Sequence, residues 1–399
     1  MMRCRLLLLA LCAAGAAHGQ TESFQKGAPA DASLEELVKA RARTIPGTEI
    51  RYVIAGYLQL DTAWTRRQLE GDEKDTFLVS AIPFGDAESG TRATIRASQI
   101  NALAQMPTAL GELTALMQAD LFSYEAGARP NLTQLVARLG NWLGVGKTYS
   151  TFMNDEAWPT TLDYNGPSGA VFVRQLIVRG GVSLPARLRL EASAEDPQAD
   201  ASAEGHGLSV SAKADRPDFV ARLRYGGERV HAQLAGLSRE VVYSAQLPSG
   251  SAQRRVSGYG LSASAAIQVA EEDRLLLQWN KGQGVSRYFN DGLSGLGTVY
   301  DAGGRLEPLR LIGGYLYYER NWAPRWKSVT GVSTLRSDSE GLRPASDLRR
   351  IDYVSGNLIH RISTNLFVGG EVLWGRAERI DATRANDTRI QLTARYYLY

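Results

Sequence analysis

Past residue 19 this 399-residue chain contains no cysteine; its only two, Cys4 and Cys12, lie in an apolar leader. That absence excludes a disulfide scaffold, so an exported chain of about 380 residues needs a large core or an extensive hydrogen-bonded sheet. No apolar run after the leader approaches the ~18 residues of a transmembrane helix. Two classes survive: a soluble exported protein, or a β-barrel whose lipid-facing residues are spread over alternate positions. Histidine is scarce too. Only His206, His231 and His360 lie beyond the leader, no two at metal-ligand spacing, and no Gly-x-Ser-x-Gly elbow occurs. The expectation is no metal, no cofactor and no enzyme, a barrel lipase being the enzymatic alternative. GVGKT (144–148) hints at a phosphate loop, but Asn141 stands where that motif needs its first glycine. Lysine supplies only seven of the 45 basic residues. Arginine dominates, with a permanent charge and a planar fork that matches carboxylates.

The leader MMRCRLLLLALCAAGAAHGQ has Arg3 and Arg5 before an apolar stretch over 6–14, then Ala17-His18-Gly19. It reads as a signal peptide over residues 1–19. A lipoprotein signal ending at Cys12 would place the bulky Leu11 where a small residue is usual. Without the leader, 43 basic residues face 42 acidic ones. Net charge therefore points to no polyanionic partner, and nucleic acid is not expected. Residues 20–47 form a short lead-in. Ser33 and Glu36 stand at capping-box spacing, and Leu34, Leu37 and Val38 make one helical stripe before Ile45-Pro46-Gly47 ends it.

From residue 48 to 399 the period is two. SLPARLRLEAS puts Leu184, Ala186, Leu188 and Leu190 against Arg187, Arg189 and Glu191. FVARLRY sets Phe219, Ala221 and Leu223 against Arg222 and Arg224. TRATIRASQ opposes Ala93, Ile95 and Ala97 to Arg92, Thr94, Arg96 and Ser98. TRIQLTARYYLY alternates Ile390, Leu392, Ala394, Tyr396 and Leu398 with Arg389, Gln391, Thr393 and Arg395. These are two-faced strands. Tight connections such as Gly226-Gly227 alternate with long polar ones at 195–207 and 289–308. At roughly 22 residues per strand and connection the count is about sixteen, the porin class. A soluble β-sandwich alternates as well. Arginine-rich polar faces favour the barrel, as do aromatics near strand ends (Trp64, Trp142, Tyr315, Tyr317, Trp322, Trp326, Trp374), which read as interfacial girdles. The predicted fold is an all-β, transmembrane antiparallel barrel with an inward-folded loop.

That loop is expected at 146–169, GKTYSTFMNDEAWPTTLDYNGPSG, between the strand LTQLVARLGNWLGVG and the strand AVFVRQLIVR. It has no period, and a connection of this length needs a function. Phe152, Met153 and Trp158 are expected to pin it to the wall, with Asp155, Glu156, Asp163 and Tyr164 facing the pore. Opposite them stand Arg92, Arg96, Arg138, Arg187, Arg189, Arg222 and Arg224 on inward strand faces, with Lys147 at the loop base. Arginine forks in a narrow pore attract carboxylates, and loop acids set a transverse field. If each arginine is instead paired with an acid, selectivity falls.

The segment GKTYSTFMNDEAWPTTLDYNGPSGAVFVRQ resembles the signature of the DcaP-like outer-membrane porins, as do GYLQLDTAW (56–64), TRATIRASQ and RIQLTARYYL. The resemblance implies a homotrimer of sixteen-stranded barrels in the bacterial outer membrane. It also implies contact with lipid and lipopolysaccharide, and passive diffusion of small anions, notably dicarboxylates. Two departures stand out. Only the stub around Ser33–Arg43 takes the place of the family's usual coiled coil, and Leu398 fills the outward slot usually held by a final Phe, leaving Tyr399 beyond it. The alternatives are a non-selective porin and a closed structural or receptor-like barrel.

Overall fold

The computed structural model describes residues 41–69, 75–123, 128–198, 210–247, 250–293, 299–300, 306–338 and 343–398. The leader, most of the helical stub, His206 and Tyr399 lie outside the described residues. Arg43–Thr44, within the stub's expected reach, is extended and pairs with Arg51 and Tyr52.

Sixteen antiparallel strands form the wall. They are β1 (Arg51–Thr65), β2 (Gln99–Thr108), β3 (Gly111–Asp120), β4 (Asn131–Leu139), β5 (Leu143–Tyr149), β6 (Arg174–Leu184), β7 (Leu188–Glu195) and β8 (Asp218–Gly226). The chain continues through β9 (Val230–Leu247), β10 (Gly250–Gln268), β11 (Asp273–Gln283) and β12 (Arg310–Ala323). The last four are β13 (Trp326–Ser337), β14 (Leu348–Arg361), β15 (Leu366–Arg379) and β16 (Arg384–Leu398). Pairing of β1 with β16, from Gly56↔Leu398 to Thr65↔Arg389, closes the sheet and removes its edges. A short strand, Gly90–Thr94, continues β2 along the upper part of β1.

The two-residue alternation sets the faces. On β16 Ile390, Leu392, Tyr396 and Leu398 are exposed outward, while Arg389, Gln391, Thr393 and Arg395 are buried inward. An apolar outer face with every strand paired is what a hydrocarbon environment requires. No described helix is long and apolar enough to cross a membrane. Tight turns at one end, such as 109–110 and 324–325, oppose long connections at the other.

Two expected strands are hairpins. LTQLVARLGNWLGVG splits at Gly140–Trp142, where Gly140 has φ 51°, and SLPARLRLEAS splits at Pro185–Arg187, where Ala186 and Arg187 are left-handed. The loop therefore follows the fifth strand. Residues 146–149 complete β5, and AVFV belongs to the connection that ends at Arg174. The girdle expectation also needs correction. Tyr315 and Tyr317 are buried inside the barrel, because Leu316 takes the outward slot of β12. Trp64, Trp142, Trp322, Trp326 and Trp374 are exposed as expected.

Candidate functional site

Segment 150–173 crosses the inside of the barrel. Phe152, Met153 and Trp158 are buried in one apolar cluster with Tyr288, Tyr315, Tyr317 and Tyr353 on or beside the inner wall. Full burial of each such side chain contributes roughly 2 kcal/mol. Between these anchors the loop's backbone finds polar partners on inward faces. Glu195 accepts the Thr151 amide at 2.8 Å, Glu319 the Thr160 amide at 2.9 Å, and Glu371 the Leu162 and Asp163 amides at 2.9 and 2.7 Å. Gln278 accepts the Val171 amide at 2.7 Å, and Asn280 donates to the Gly169 carbonyl at 3.0 Å. Gly169 has φ 75°, and a Cβ there would lie 2.5 Å from the Thr334 carbonyl oxygen, so the close approach requires glycine.

The acids of the loop divide. Asp155 pairs with Arg224 at 3.2 Å. Half-buried Glu156 donates its amide to Asn154, which caps the turn, and its carbonyl accepts from Arg274. Asp163 does not face an open pore. Its buried carboxylate accepts the amides of Phe77, Asn165 and Gly166 and closes the Asp163-Tyr-Asn-Gly turn. Burial pushes the Asp163 carboxyl up to about 6, and burial does the same at Asp291, which binds the amides of Val79 and Ser80 and the Ser168 hydroxyl. Tyr164 donates to Asp120 at 2.5 Å and stacks on Phe122 at 3.8 Å.

Of the predicted cations, Arg92, Arg96, Arg138, Arg189, Arg222 and Arg224 face inward. Two do not line the lumen. Lys147 shares the outer face with Val145 and donates to the Leu132 carbonyl at 2.7 Å, because register sends Gly144 and Thr148 inward. Arg187 sits in the β6–β7 turn, paired with Glu228 at 3.0 Å. Inward cations that reading by pattern did not select include Arg179, Arg239, Arg389 and Arg395. The signal was present for the last two, on the polar face of TRIQLTARYYLY.

Carboxylates are shared between cations. Asp75 holds Arg92 at 2.8 Å and Arg96 at 3.0 Å. Glu191 holds Arg222 at 2.6 Å and Arg189 at 3.2 Å, and Asp218 lies 3.4 Å from both Arg239 and Arg287. One acid for two guanidiniums leaves positive charge over. Part of the surplus lines a cavity of about 290 Å³ between β3 and β8, whose walls carry Arg138, Arg179, Arg189 and Arg224 with Glu112 and Glu191, Arg224 also pairing with Asp155.

No family model and no curated protein matches the sequence. Solved structures do. The outer-membrane channel DcaP of Acinetobacter baumannii superposes with a TM-score of 0.79 at 18% identity, over 89% of this chain and 99% of that one. An anion-selective porin from Comamonas acidovorans gives 0.55 at 10% identity, over 88% and 100%. The trimer form of OmpT, an outer membrane protein of Vibrio cholerae, gives 0.54 at 9% identity, over 88% and 99%. At these identities the likeness speaks for the fold: this chain has the DcaP-like, closed sixteen-stranded barrel of bacterial outer-membrane channels.

Proposed function

We propose that the protein is an outer-membrane porin for small hydrophilic solutes that prefers anions, dicarboxylates among them. The passage runs beside the inward loop, past Arg138, Arg179, Arg189, Arg222 and Arg224. The observation that carries this is the cavity in which four arginines meet two glutamates. In a lumen of low-dielectric walls such an excess focuses positive potential and raises the local concentration of anions. Asp163, Glu319 and Glu371 accept backbone amides rather than pairing with the cavity's arginines, whereas Asp155 offsets Arg224. Asp155 and Glu156 provide the negative side of a transverse field.

The names of two similar structures agree with this reading, a channel and an anion-selective porin. A homotrimer embedded in lipid and lipopolysaccharide belongs to the same proposal, and chemical crosslinking in membranes tests the trimer. A non-selective porin is the second reading, favoured by the ion pairs at Arg92, Arg96, Arg189 and Arg222. Reversal potential in a planar bilayer under a salt gradient separates the two. An anion-signed potential that shrinks in Arg189→Ala and Arg224→Ala supports the proposal. A potential near zero leaves the non-selective porin, and no conductance leaves a closed barrel.

A further inference from the structure

We infer that Glu191 is a built-in carboxylate competitor that sets how long the arginine cavity holds a passing carboxylate. The inference rests on the anion-porin reading. Glu191 points inward from β7, is 4% exposed, and borders the same cavity as Arg138, Arg179 and Arg224. Its two oxygens are divided: Oε2 accepts from Arg222 Nε at 2.6 Å, and Oε1 lies 3.2 Å from Arg189 Nε. The side chain thus presents to the arginines the group that a carboxylate solute presents.

The two arginines differ in a way that decides which one exchanges. The Arg222 side chain is 2% exposed and also donates to the Met153 carbonyl of the loop at 3.2 Å. The Arg189 side chain is 16% exposed and also donates to the Asn141 carbonyl. Backbone carbonyls therefore keep both guanidiniums in place when Glu191 releases one of them. Arg189, the more accessible, is the one that trades its internal carboxylate for the solute's. The pair packs against bare backbone. A Cβ on Gly181 would lie 2.6 Å from Arg189 Nη2 and 2.9 Å from Glu191 Cγ, so glycine at this position leaves the pair its room.

The physical need for such a competitor is general. A charge-assisted fork in a cavity of low dielectric binds carboxylate firmly. Conduction requires a site favourable enough to enter and weak enough to leave. An internal carboxylate lowers the net affinity for a solute carboxylate, and offsets only one of the several positive charges that draw anions in.

The test is single-channel recording of the full-length barrel with succinate, reading the dwell time of each current block. Glu191→Gln should lengthen dwell about tenfold and Glu191→Asp, with its shorter reach, about threefold. Glu112→Gln removes the same charge from the rim of the cavity, where Glu112 pairs with half-exposed Arg51. It should shift the reversal potential towards anions with dwell changed less than about twofold. A Glu191→Gln dwell no longer than that of Glu112→Gln, in a channel that remains anion-biased, overturns the inference and leaves the porin standing. Absence of anion bias in the unmutated protein overturns both, and is recognised because it appears without any substitution. Heat-dependent gel migration verifies the folded barrel. Should the Gln variant not fold, an unchanged dwell in Glu191→Asp overturns the inference by itself.

Discussion

The barrel has a low side and a tall side. Strands β2 to β8 are 7 to 11 residues long, whereas β9 to β16 run from 11 to 19. A tilted strand needs about 9–11 residues to cross hydrocarbon, so the low side barely spans and the tall side extends beyond. Their inner faces differ as well. The tall side is lined by Tyr315, Tyr317, Leu335, Ile351, Tyr353 and Leu373, which bury the loop and the segment around Phe77 in an apolar cluster. The low side carries Arg138, Arg179, Arg189 and Arg224 around a cavity. Both halves mix apolar and polar inward residues, but the large apolar cluster lies mainly on the tall side and the arginine-lined cavity on the low side. The lesson is that the segment is held differently at its two sides, by apolar packing on the tall side and by arginines and carboxylates such as Arg222, Arg224 and Glu195 on the low side.

The largest effect is expected from detaching the loop. Trp158→Ala removes a buried ring from the tall-side cluster, at a cost of about 3–5 kcal/mol. Conductance should rise severalfold and anion bias should fall, as read in single-channel recordings. Unchanged conductance would mean that the tall side does not hold the loop.

Next comes pH. Asp163 of the loop and Asp291, which accepts the loop's Ser168 hydroxyl, have carboxyls raised to about 6 in the folded state, against an ordinary value near 4. The docked state binds the proton more readily than the undocked one, so docking is stabilised at low pH. The contribution is fully present below about pH 4 and is lost as pH rises through 6, on the order of 2 kcal/mol for each group. Amide hydrogen exchange at Leu162 and Asp163 should be slower at pH 5 than at pH 8 after correction for intrinsic rates. Equal protection at both pH values would place these carboxyls in solvent.

A charge comparison sharpens the contrast between the walls. Arg189→Ala combined with Arg224→Ala should bring the reversal potential most of the way to zero. Arg395→Ala, on the tall side, should move it much less, because Arg395 is held by Gln59 against the Tyr57 and Phe367 rings. Equal shifts would make the anion path symmetric. The smallest effect is expected at Lys147. Lys147→Leu removes a cation from an outer face shared with Leu135, Val145 and Leu176, and should stabilise the barrel by about 1–2 kcal/mol. Reversal potential should not move; a shift would return Lys147 to the pore.

The inward arginines were legible wherever a strand had one clearly apolar face. In FVARLRY the exposed Phe219 and Leu223 leave Arg222 and Arg224 only the lumen. Legibility failed where both faces are apolar or a turn hides inside the pattern. Tyr315-Leu-Tyr-Tyr318 is apolar at every position, so period two cannot say which residues face lipid. In Leu184-Pro-Ala-Arg-Leu188 the alternation carries on through a turn, and Arg187 is lost to a left-handed corner. At Lys147 the error was one of register, since reading β4 and β5 as one strand hides the hairpin that fixes the parity.

The barrel, a count of about sixteen strands and the position of the long aperiodic segment were legible in the sequence by itself, because alternation, turn residues and aperiodicity are local properties of the chain. Only the tertiary structure decided which inward side chains that segment meets and which acid each arginine keeps. Glu191 and Arg222 are 31 residues apart and meet at 2.6 Å because β7 pairs with β8, and Leu162 reaches Glu371 across 209 residues because the sheet closes on itself. Closure of a sheet is a long-range event, and no local periodicity records which inward side chains it will bring face to face.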